Sequence, residues 1–271
     1  MVSTWQLPDG LPPGGYVTPL RDDDRDDDQV EPVLWVSDEP VPRAGALRAH
    51  LQPACTRTGL WPLVLLPLDG EPWAPWHDGE LDPVPLNALA GRDPGPTLAR
   101  LWHALADVEV VDDELVGAPG SWRDALVELG LPAHFEGLAP AGTPITDPDQ
   151  HAAQVSAEVF HDGLLGLVPA ACGSDAIAVL GWDGALNHTG TAEIALVTHS
   201  WEDRFGARVI GLGYDTLELS VAAPPASLEH ARAVAAEHFA FCPDNIAQGT
   251  EDFDLYARHL VGAPTWSFWW D

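Results

Sequence analysis

The stretch RVIGLGYDTLELSVAAPP, residues 208–225, predicts a β-hairpin and decides how the C-terminal half folds. Two runs rich in branched apolar residues, 208–213 and 216–222, flank a tight turn at Tyr214-Asp215. A Pro-Pro pair follows the second run, and the strand ends there because proline cannot donate a ladder hydrogen bond. Two neighbouring antiparallel strands therefore stand in the middle of the predicted C-terminal fold.

Amphipathic helices are predicted on both sides of this hairpin. Apolar residues recur at helical spacing from Ile194 to Phe205 and indicate a helix over 191–204. After the hairpin, Ser227 is the predicted N-cap of a second helix, and Thr250 is the predicted N-cap of a third. The hairpin is thus expected to pack under helices that precede and follow it.

Two further apolar runs, 176–182 and 265–270, predict the outer strands of the same unit. With the third helix discounted, the order becomes β-α-β-β-α-β, which is the ferredoxin-like arrangement. Right-handed crossovers would place its first and third strands at the centre of an antiparallel sheet, with the helices mainly on one face. The predicted fold class is therefore α+β.

The N-terminal half predicts a smaller βαβ-containing layer. Its elements are a strand over 33–37, a helix over 44–56 and a strand over 60–66. Residues 137–148 are rich in Pro, Gly and Thr and form the best candidate linker. We therefore expect an N-terminal α/β region over 1–148, with long Pro-, Gly- and Asp-rich connections, and a C-terminal α+β domain over 149–271.

Strand alternation divides the residues near the C-terminus between two faces of the predicted sheet. Trp266, Phe268 and Trp270 share one face and are expected to lie buried beneath the helices. The opposite face either packs on the N-terminal half or binds a partner, and it carries Glu218, Ser220 and Trp269.

Acidic residues dominate the charge of the chain. There are 42 Asp and Glu side chains against 12 basic ones, all of them Arg, and the formal net charge is −30. Such a field repels DNA, RNA and anionic membranes and favours a basic protein as partner. The densest acidic block is DDDRDDD, residues 22–28. Alternatively, Arg without Lys reflects the codon bias of a GC-rich genome, and the acidity only maintains solubility.

Three isolated cysteines and the lack of long apolar runs indicate a cytoplasmic protein. Cys55, Cys172 and Cys242 show no Cys-x-x-Cys spacing, so neither a disulfide nor a metal site is predicted. The apolar runs are too short to span a bilayer, and the first residues do not form a signal peptide. No cofactor motif is recognisable, and no cofactor is predicted.

Five ordered motifs carry a family resemblance. They are GWDGALN at 181–187, SWEDRFGAR at 200–208, LSVAAPP at 219–225, AEHFAFCPDN at 236–245 and FWWD at 268–271. Together they resemble the uncharacterised bacterial family called domain of unknown function 4253. The resemblance covers roughly residues 175–271, and it implies no activity, substrate or catalytic residue.

The first candidate site lies in the fourth of these motifs. His238 and Cys242 stand four residues apart on a predicted helix, so their side chains share one face, and Asp244 and Asn245 follow closely. A Cys–His pair indicates either an activated thiolate or half of a zinc site. Because His238 falls inside the apolar stripe of the helix, a structural role is the favoured interpretation.

The second candidate site is Glu202-Asp203-Arg204 at the end of the 191–204 helix. Glu202 and Asp203 are predicted to project away from the apolar stripe. Arg204 is predicted to reach a carboxylate such as Asp244 or Asp271. The cluster is then either an ion-paired helix end or part of a docking surface.

Together these features predict a cytoplasmic, non-enzymatic binding module that acts as an acidic, immunity-type antagonist of a basic protein. No catalytic or metal-binding residue is predicted. The alternative is an enzyme, such as a hydrolase, with a site around His238, Cys242 and Asp244 at the junction of the two halves. The predicted ligand- or partner-binding residues are Glu202, Asp203, Arg204, Glu218, Ser220, His238, Asp244, Asn245 and Trp269.

Overall fold

One seven-stranded sheet runs through the protein, in a computed structural model that describes residues 5–20, 31–68, 75–106 and 126–271. The strands are β1 (Gly14–Val17), β2 (Leu34–Ser37), β3 (Trp61–Leu65), β4 (Leu164–Val168), β5 (Ala207–Leu212), β6 (Thr216–Val221) and β7 (Thr265–Trp269). Their order across the sheet is β1-β2-β4-β3-β5-β6-β7. Only the β3–β5 pair is parallel, so the described sheet is mostly antiparallel.

Helices cover both faces of this sheet. They are α1 (Ala44–Leu51), α2 (Cys55–Thr58), α3 (Pro94–Ala106), α4 (Pro148–Val159), α5 (Gly173–Leu180), α6 (Thr191–Phe205), α7 (Leu228–Phe241) and α8 (Phe253–Leu260). Helices α1 and α4 pack on one face, where Val64 points into their core. Its neighbours Leu63 and Leu65 point the opposite way, into the larger core formed with α5, α6 and α7. Among the C-terminal helices, α5, α6, α7 and α8 thus contribute to the larger core on one face, and α4 lies on the other face.

The predicted strand over 176–182 is also wrong, because this segment belongs to α5 and the loop after it. Gly181 follows the helix with a φ of 70°, the left-handed conformation that ends helices. The strand of this region is instead β4, and all five of its residues are buried. A short apolar run fits a buried helix and a buried strand equally well, which explains the exchange.

The sheet order differs from the ferredoxin-like arrangement. Strand β4 takes the place of the predicted first strand, but β3 and β5 lie between it and the third strand, β6. Strand β4 lies inside the sheet, so its backbone needs a hydrogen-bonding partner on each side. It pairs with β2 on one side and β3 on the other. An α+β fold with a mostly antiparallel sheet is confirmed.

Several other sequence predictions are confirmed. The 208–225 hairpin forms β5 and β6, α6 follows its predicted apolar stripe, and Ser227 caps α7 by accepting from the His230 N–H. The N-terminal strand–helix–strand segment is present as β2, α1 with α2, and β3. Helix α8, however, is capped by Asp252 and not by Thr250, which belongs to a π-helical turn over Asn245–Thr250.

Strands from both sides of residue 148 share the sheet, since β4 is inserted between β2 and β3. The predicted linker, residues 137–148, is hydrogen-bonded to the C-terminal part of the chain. The Gly142 N–H donates to the Arg204 carbonyl, and the Ile145 N–H donates to the Ala222 carbonyl. No helix within the described residues has both the length and the apolar character that crossing a membrane requires.

Candidate functional site

The predicted His238–Cys242 site is sealed inside the core. The His238 imidazole is fully buried, and its ring lies 5.0 Å, 4.5 Å and 4.8 Å from the rings of Trp201, Trp266 and Phe268. Burial, together with the nearby Arg204 charge, lowers the pKa of His238 to about 3. This histidine is therefore neutral at physiological pH and out of reach of a dissolved substrate.

Cys242 and Asn245 belong to a hydrogen-bond network that fastens the π-helical turn to β7. The Cys242 thiol donates to the Trp269 carbonyl at 2.9 Å, and burial raises the pKa of this thiol to about 12. The Asn245 amide donates to the Tyr256 hydroxyl at 3.1 Å and to the Ser267 carbonyl at 2.7 Å. These bonds occupy the polar atoms that a ligand would need.

Arg204 pairs with Glu237, and not with the predicted partners Asp244 or Asp271. Its guanidinium donates two bonds to the Glu237 carboxylate, at 2.8 Å and 2.7 Å. Glu237 is completely buried and also accepts from the Trp201 indole at 2.7 Å. Asp244 lies at the surface, where it accepts from the Asp271 N–H at 3.1 Å. Breaking this buried pair would leave an uncompensated charge inside the protein, so the Arg204–Glu237 ion pair has a structural role.

The three residues predicted on the open sheet face have different surroundings. Ser220 is buried, with its hydroxyl inside the protein. Glu218 accepts from the Ser267 hydroxyl at 2.6 Å, and burial raises its pKa above the usual carboxyl range. Trp269 is half-buried and lies opposite Thr216 in the β6–β7 register. Glu218 and Trp269 thus remain at the surface, but this face offers no group of converging polar atoms.

The structure instead brings polar side chains together where α5 begins. The Ser174 hydroxyl lies 3.2 Å from Cys172 Sγ, 3.1 Å from His199 Nδ1 and 2.8 Å from Glu202 Oε2. The Ser174 N–H also donates to Glu202 Oε1 at 3.0 Å. We call Cys172, Ser174, His199 and Glu202 the α5-entrance cluster.

Local sequence explains why these four side chains meet. Cys172 is the N-cap residue of α5 and has an extended backbone conformation, and its side chain makes no capping hydrogen bond to the helix. His199 and Glu202 are three residues apart on α6, so both side chains lie on the same helix face. A carboxylate at a helix N-terminus is stabilised by the exposed N–H groups and the helix dipole. Glu202 therefore ties α6 to α5 instead of projecting into solvent as predicted.

Burial differs sharply across the cluster. Glu202 is buried, which raises its pKa, and burial together with the Glu202 charge raises the pKa of Cys172 to about 12. The His199 side chain is 54% exposed, and that of the following Asp203 is 77% exposed. The cluster thus has an inner acidic side and an outer side that is open to solvent.

A pocket of about 740 Å³ lies beside this cluster. Its wall includes Ala171, the residue before Cys172, together with Cys55, Trp61 and Asp149. Arg208 connects pocket and cluster, since it donates to Asp149 at 2.7 Å and its charge acts on Glu202. The four cluster side chains themselves do not line this pocket, which adjoins the cluster only through Ala171.

The five C-terminal motifs lie in a region that matches a protein-family model. Residues 164–271 match the family model described as a domain of unknown function, DUF4253. The family prediction for the C-terminal region is thereby confirmed. The DUF4253 region begins at β4 and contains the whole α5-entrance cluster as well as His238 and Cys242. No curated protein and no solved structure matches the chain.

Sequence reasoning missed Cys172, Ser174 and His199 as members of a cluster. Because a strand was predicted over 176–182, no helix was expected to begin at Cys172. Two signals were nevertheless present in the DUF4253 region: the Cys-Gly-Ser triplet before an apolar run, and the i, i+3 spacing of His199 and Glu202. The contact between them crosses two elements and could not be read from spacing alone.

Proposed function

We propose that the protein is a cytoplasmic, non-enzymatic binding module whose partner is a basic protein. The observation that carries this proposal is that several of its arginine side chains are paired or buried inside the protein. Within the part of the chain that the structure describes, five arginines contact carboxylates and Arg48 is fully buried. The five pairs are Arg92 and Arg100 with Glu193, Arg204 with Glu237, Arg208 with Asp149, and Arg232 with Asp254.

These pairs neutralise arginines and carboxylates together, so the net charge of −30 rests on the acidic side chains that remain. A field of one sign accelerates encounter with a partner of opposite sign, and salt weakens this effect because charges are screened beyond about 8 Å at physiological ionic strength. A basic protein that this chain inhibits, as in an immunity pair, would carry the positive charge that is complementary to this surface. Genome codon bias remains the competing explanation, and binding experiments separate the two.

Asp203 is the best-placed residue for a docking test, because it is exposed at the end of the rigid helix α6. The expected result for Asp203→Asn is faster dissociation if this helix end is the docking face. Neutralising Asp22–Asp28, which lies outside the described residues, should slow association and leave dissociation nearly unchanged, since a charged block steers encounter without forming the interface.

The test is a kinetic titration of the full chain against a panel of small basic proteins, including any encoded next to its gene. We expect association with one of them to be fast and to slow steeply as salt rises. Glu158→Gln on α4 is the matched control, because it removes the same charge from a different exposed helix. Salt-independent binding, or no binding to any basic protein, would contradict the proposal.

A second candidate function is a hydrolase, favoured by the α5-entrance cluster and the adjoining pocket. The sequence-based alternative placed the site at His238, Cys242 and Asp244, but the first two of these side chains are fully buried. At the α5 entrance, a hydroxyl, a thiol, an imidazole and a carboxylate lie within contact distance of one another. Such groups supply proton transfer and nucleophilic attack in acyl and phosphoryl hydrolysis.

Turnover of chromogenic carboxylic esters and phosphoesters tests this candidate. We expect activity in the wild type and its loss in His199→Ala, which removes an exposed side chain and should leave folding intact. His259→Ala, an exposed histidine on α8, is the control and should retain activity. Equal rates in His199→Ala and wild type would exclude the α5 entrance as the site.

A further inference from the structure

The α5-entrance cluster contains three side chains of the types that bind zinc. One ligand atom each from Cys172, His199 and Glu202 lies within 4.8 Å of the other two. Zinc bonds of about 2.0–2.3 Å in tetrahedral geometry require ligand atoms about 3.3–3.6 Å apart. The atoms must therefore approach by about 1 Å, and the half-exposed His199 ring has room for this movement.

The surroundings of these ligands orient them as in metal sites. Glu202 Oε1 is held by the Ser174 N–H at 3.0 Å, which leaves Oε2 directed at the other ligands. His199 Nδ1 faces the cluster, while its Nε2 lies 3.9 Å from Asp203 Oδ2. Metal-binding histidines commonly donate their second N–H to a carboxylate, and Asp203 would need to approach by about 1 Å to accept it.

Charge also favours a cation at this place. The Cys172 thiol must lose its proton to bind a metal, and metal binding at a cysteine releases that proton. The nearest cationic side chain that acts on Glu202 is Arg208, and its charge is already paired with Asp149 at 2.7 Å. The net charge of −30 further raises the local concentration of cations.

We propose that Cys172, His199 and Glu202 bind one zinc ion or a similar divalent transition metal. Mixed sulfur, nitrogen and oxygen ligands suit zinc, and three protein ligands leave a fourth position for water. Ser174 lies within hydrogen-bond distance of all three ligands, and its hydroxyl is placed to hydrogen-bond that water. This departs from the sequence-based expectation of no metal, because the three ligands come from two helices that spacing did not connect.

The inference is independent of the proposed binding of a basic protein, and either can fail without the other. It does bear on the hydrolase candidate. With a metal bound, His199 Nδ1 is a ligand and cannot also accept the Ser174 proton. The nucleophile would then be the metal-bound water, whose pKa zinc lowers towards 7.

The experiment uses the full chain without a histidine tag, stripped of metal with a chelator and then titrated with Zn²⁺ or Co²⁺. Calorimetry should give one ion per chain, and bound Co²⁺ should show a thiolate-to-metal charge-transfer band and the intense visible bands of a tetrahedral site. Zn²⁺ should also raise the melting temperature, because a ligand that binds the folded state stabilises it.

Single substitutions assign the ligands. Cys172→Ala should abolish the charge-transfer band, His199→Ala should weaken metal binding strongly, and Asp203→Asn should weaken it about 10–100-fold through the orientation of His199. Cys55→Ala and His259→Ala are controls that remove a thiol and an imidazole outside the cluster and should bind normally. Should Cys172→Ala not fold, His199→Ala still decides, since its side chain is half exposed.

Two results would overturn the proposal. One is a wild-type chain that binds neither Zn²⁺ nor Co²⁺ at one ion per chain. The other is one-to-one binding that both Cys172→Ala and His199→Ala leave unchanged. In either case Glu202 would serve only to cap α5.

Discussion

The two Cys–His pairs of the DUF4253 region have opposite surroundings. His238 and Cys242 lie at the C-terminal end of helix α7, and both side chains are fully buried in the core. Cys172 and His199 lie at the start of α5, where the imidazole is half exposed and a pocket opens nearby. The first pair has the spacing that looks reactive in sequence, and the second has no recognisable spacing at all.

Burial, more than sequence spacing, therefore decides whether a Cys–His pair can bind a ligand or react. Both thiols have a pKa raised to about 12, so the ordinary thiolate population is equally small in both. Only the Cys172 pair has a solvent-facing side and a buried carboxylate within reach. A cation or substrate can therefore enter at the α5 entrance but not at His238.

The largest expected effect tests the aromatic core that contains His238, at a residue packed one ring away from this histidine. Trp270 is buried against Trp182 and Phe241, at ring distances of 5.6 Å and 5.4 Å. Trp270→Ala should lower the free energy of unfolding by about 3–5 kcal/mol, as buried aromatic truncations do. Chemical denaturation measures this, with Trp269→Ala, half-buried on the other sheet face, as the milder control. Equal losses in the two variants would remove the distinction between core and surface here.

Thiol labelling compares the two cysteines directly. Because their pKa values are raised alike, the ratio of labelling rates reports access and not thiolate content. Cys172 should label in the folded state, whereas Cys242 should wait for unfolding, which costs about 5 kcal/mol or more and slows labelling roughly a thousandfold or more. Mass spectrometry of alkylated peptides follows both in one sample. Equal rates would mean that Cys242 is as accessible as Cys172.

The pH dependence of stability sharpens the comparison of the two histidines. The pKa of His238 is about 3 in the folded protein and about 6.5 in an unfolded chain. The unfolded chain therefore binds the proton more readily. The stability contributed by neutral His238 is complete above about pH 6.5 and is lost as pH falls towards 3, at up to about 1.4 kcal/mol per pH unit.

Urea unfolding between these pH values should show this slope in the wild type and a reduced slope in His238→Gln. His199→Gln is the matched control, since it makes the same substitution at a histidine whose side chain is 54% exposed. A slope unchanged in His238→Gln would mean that His238 is protonated in the folded protein.

Sequence pattern was sufficient for the elements that present one face to a core. The β5–β6 hairpin, helix α6 and strand β7 all show regular alternation or a clear apolar stripe, and each is found within one or two residues of its predicted ends. Pattern failed where a segment is buried all round. Strand β4 is apolar throughout, and so is the part of α5 from Ala176 to Leu180, so neither run carries a periodic signal that separates strand from helix.

The candidate site was predictable only in part. Glu202 was singled out, but as an exposed acid, because helix projection cannot show that the start of α5 lies against it. The Arg204 partner was missed for a similar reason, since Glu237 on α7 reaches it only through the packing of two helices. Contacts that join elements distant in sequence depend on the sheet order, and the order was not ferredoxin-like.

The insertion of β4 between β2 and β3 has a consequence for how the chain is made. As the polypeptide leaves the ribosome, β2 and β3 emerge with a strand-wide gap between them. The segment that fills it is completed about 100 residues later, or about 5–20 s at usual rates of synthesis. Until then, the facing edges of β2 and β3 are unpaired templates for wrong partners. The nascent chain is thus most exposed to misassembly and chaperone capture just before residue 168 appears, and the strongly negative N-terminal half helps keep nascent chains apart during that wait.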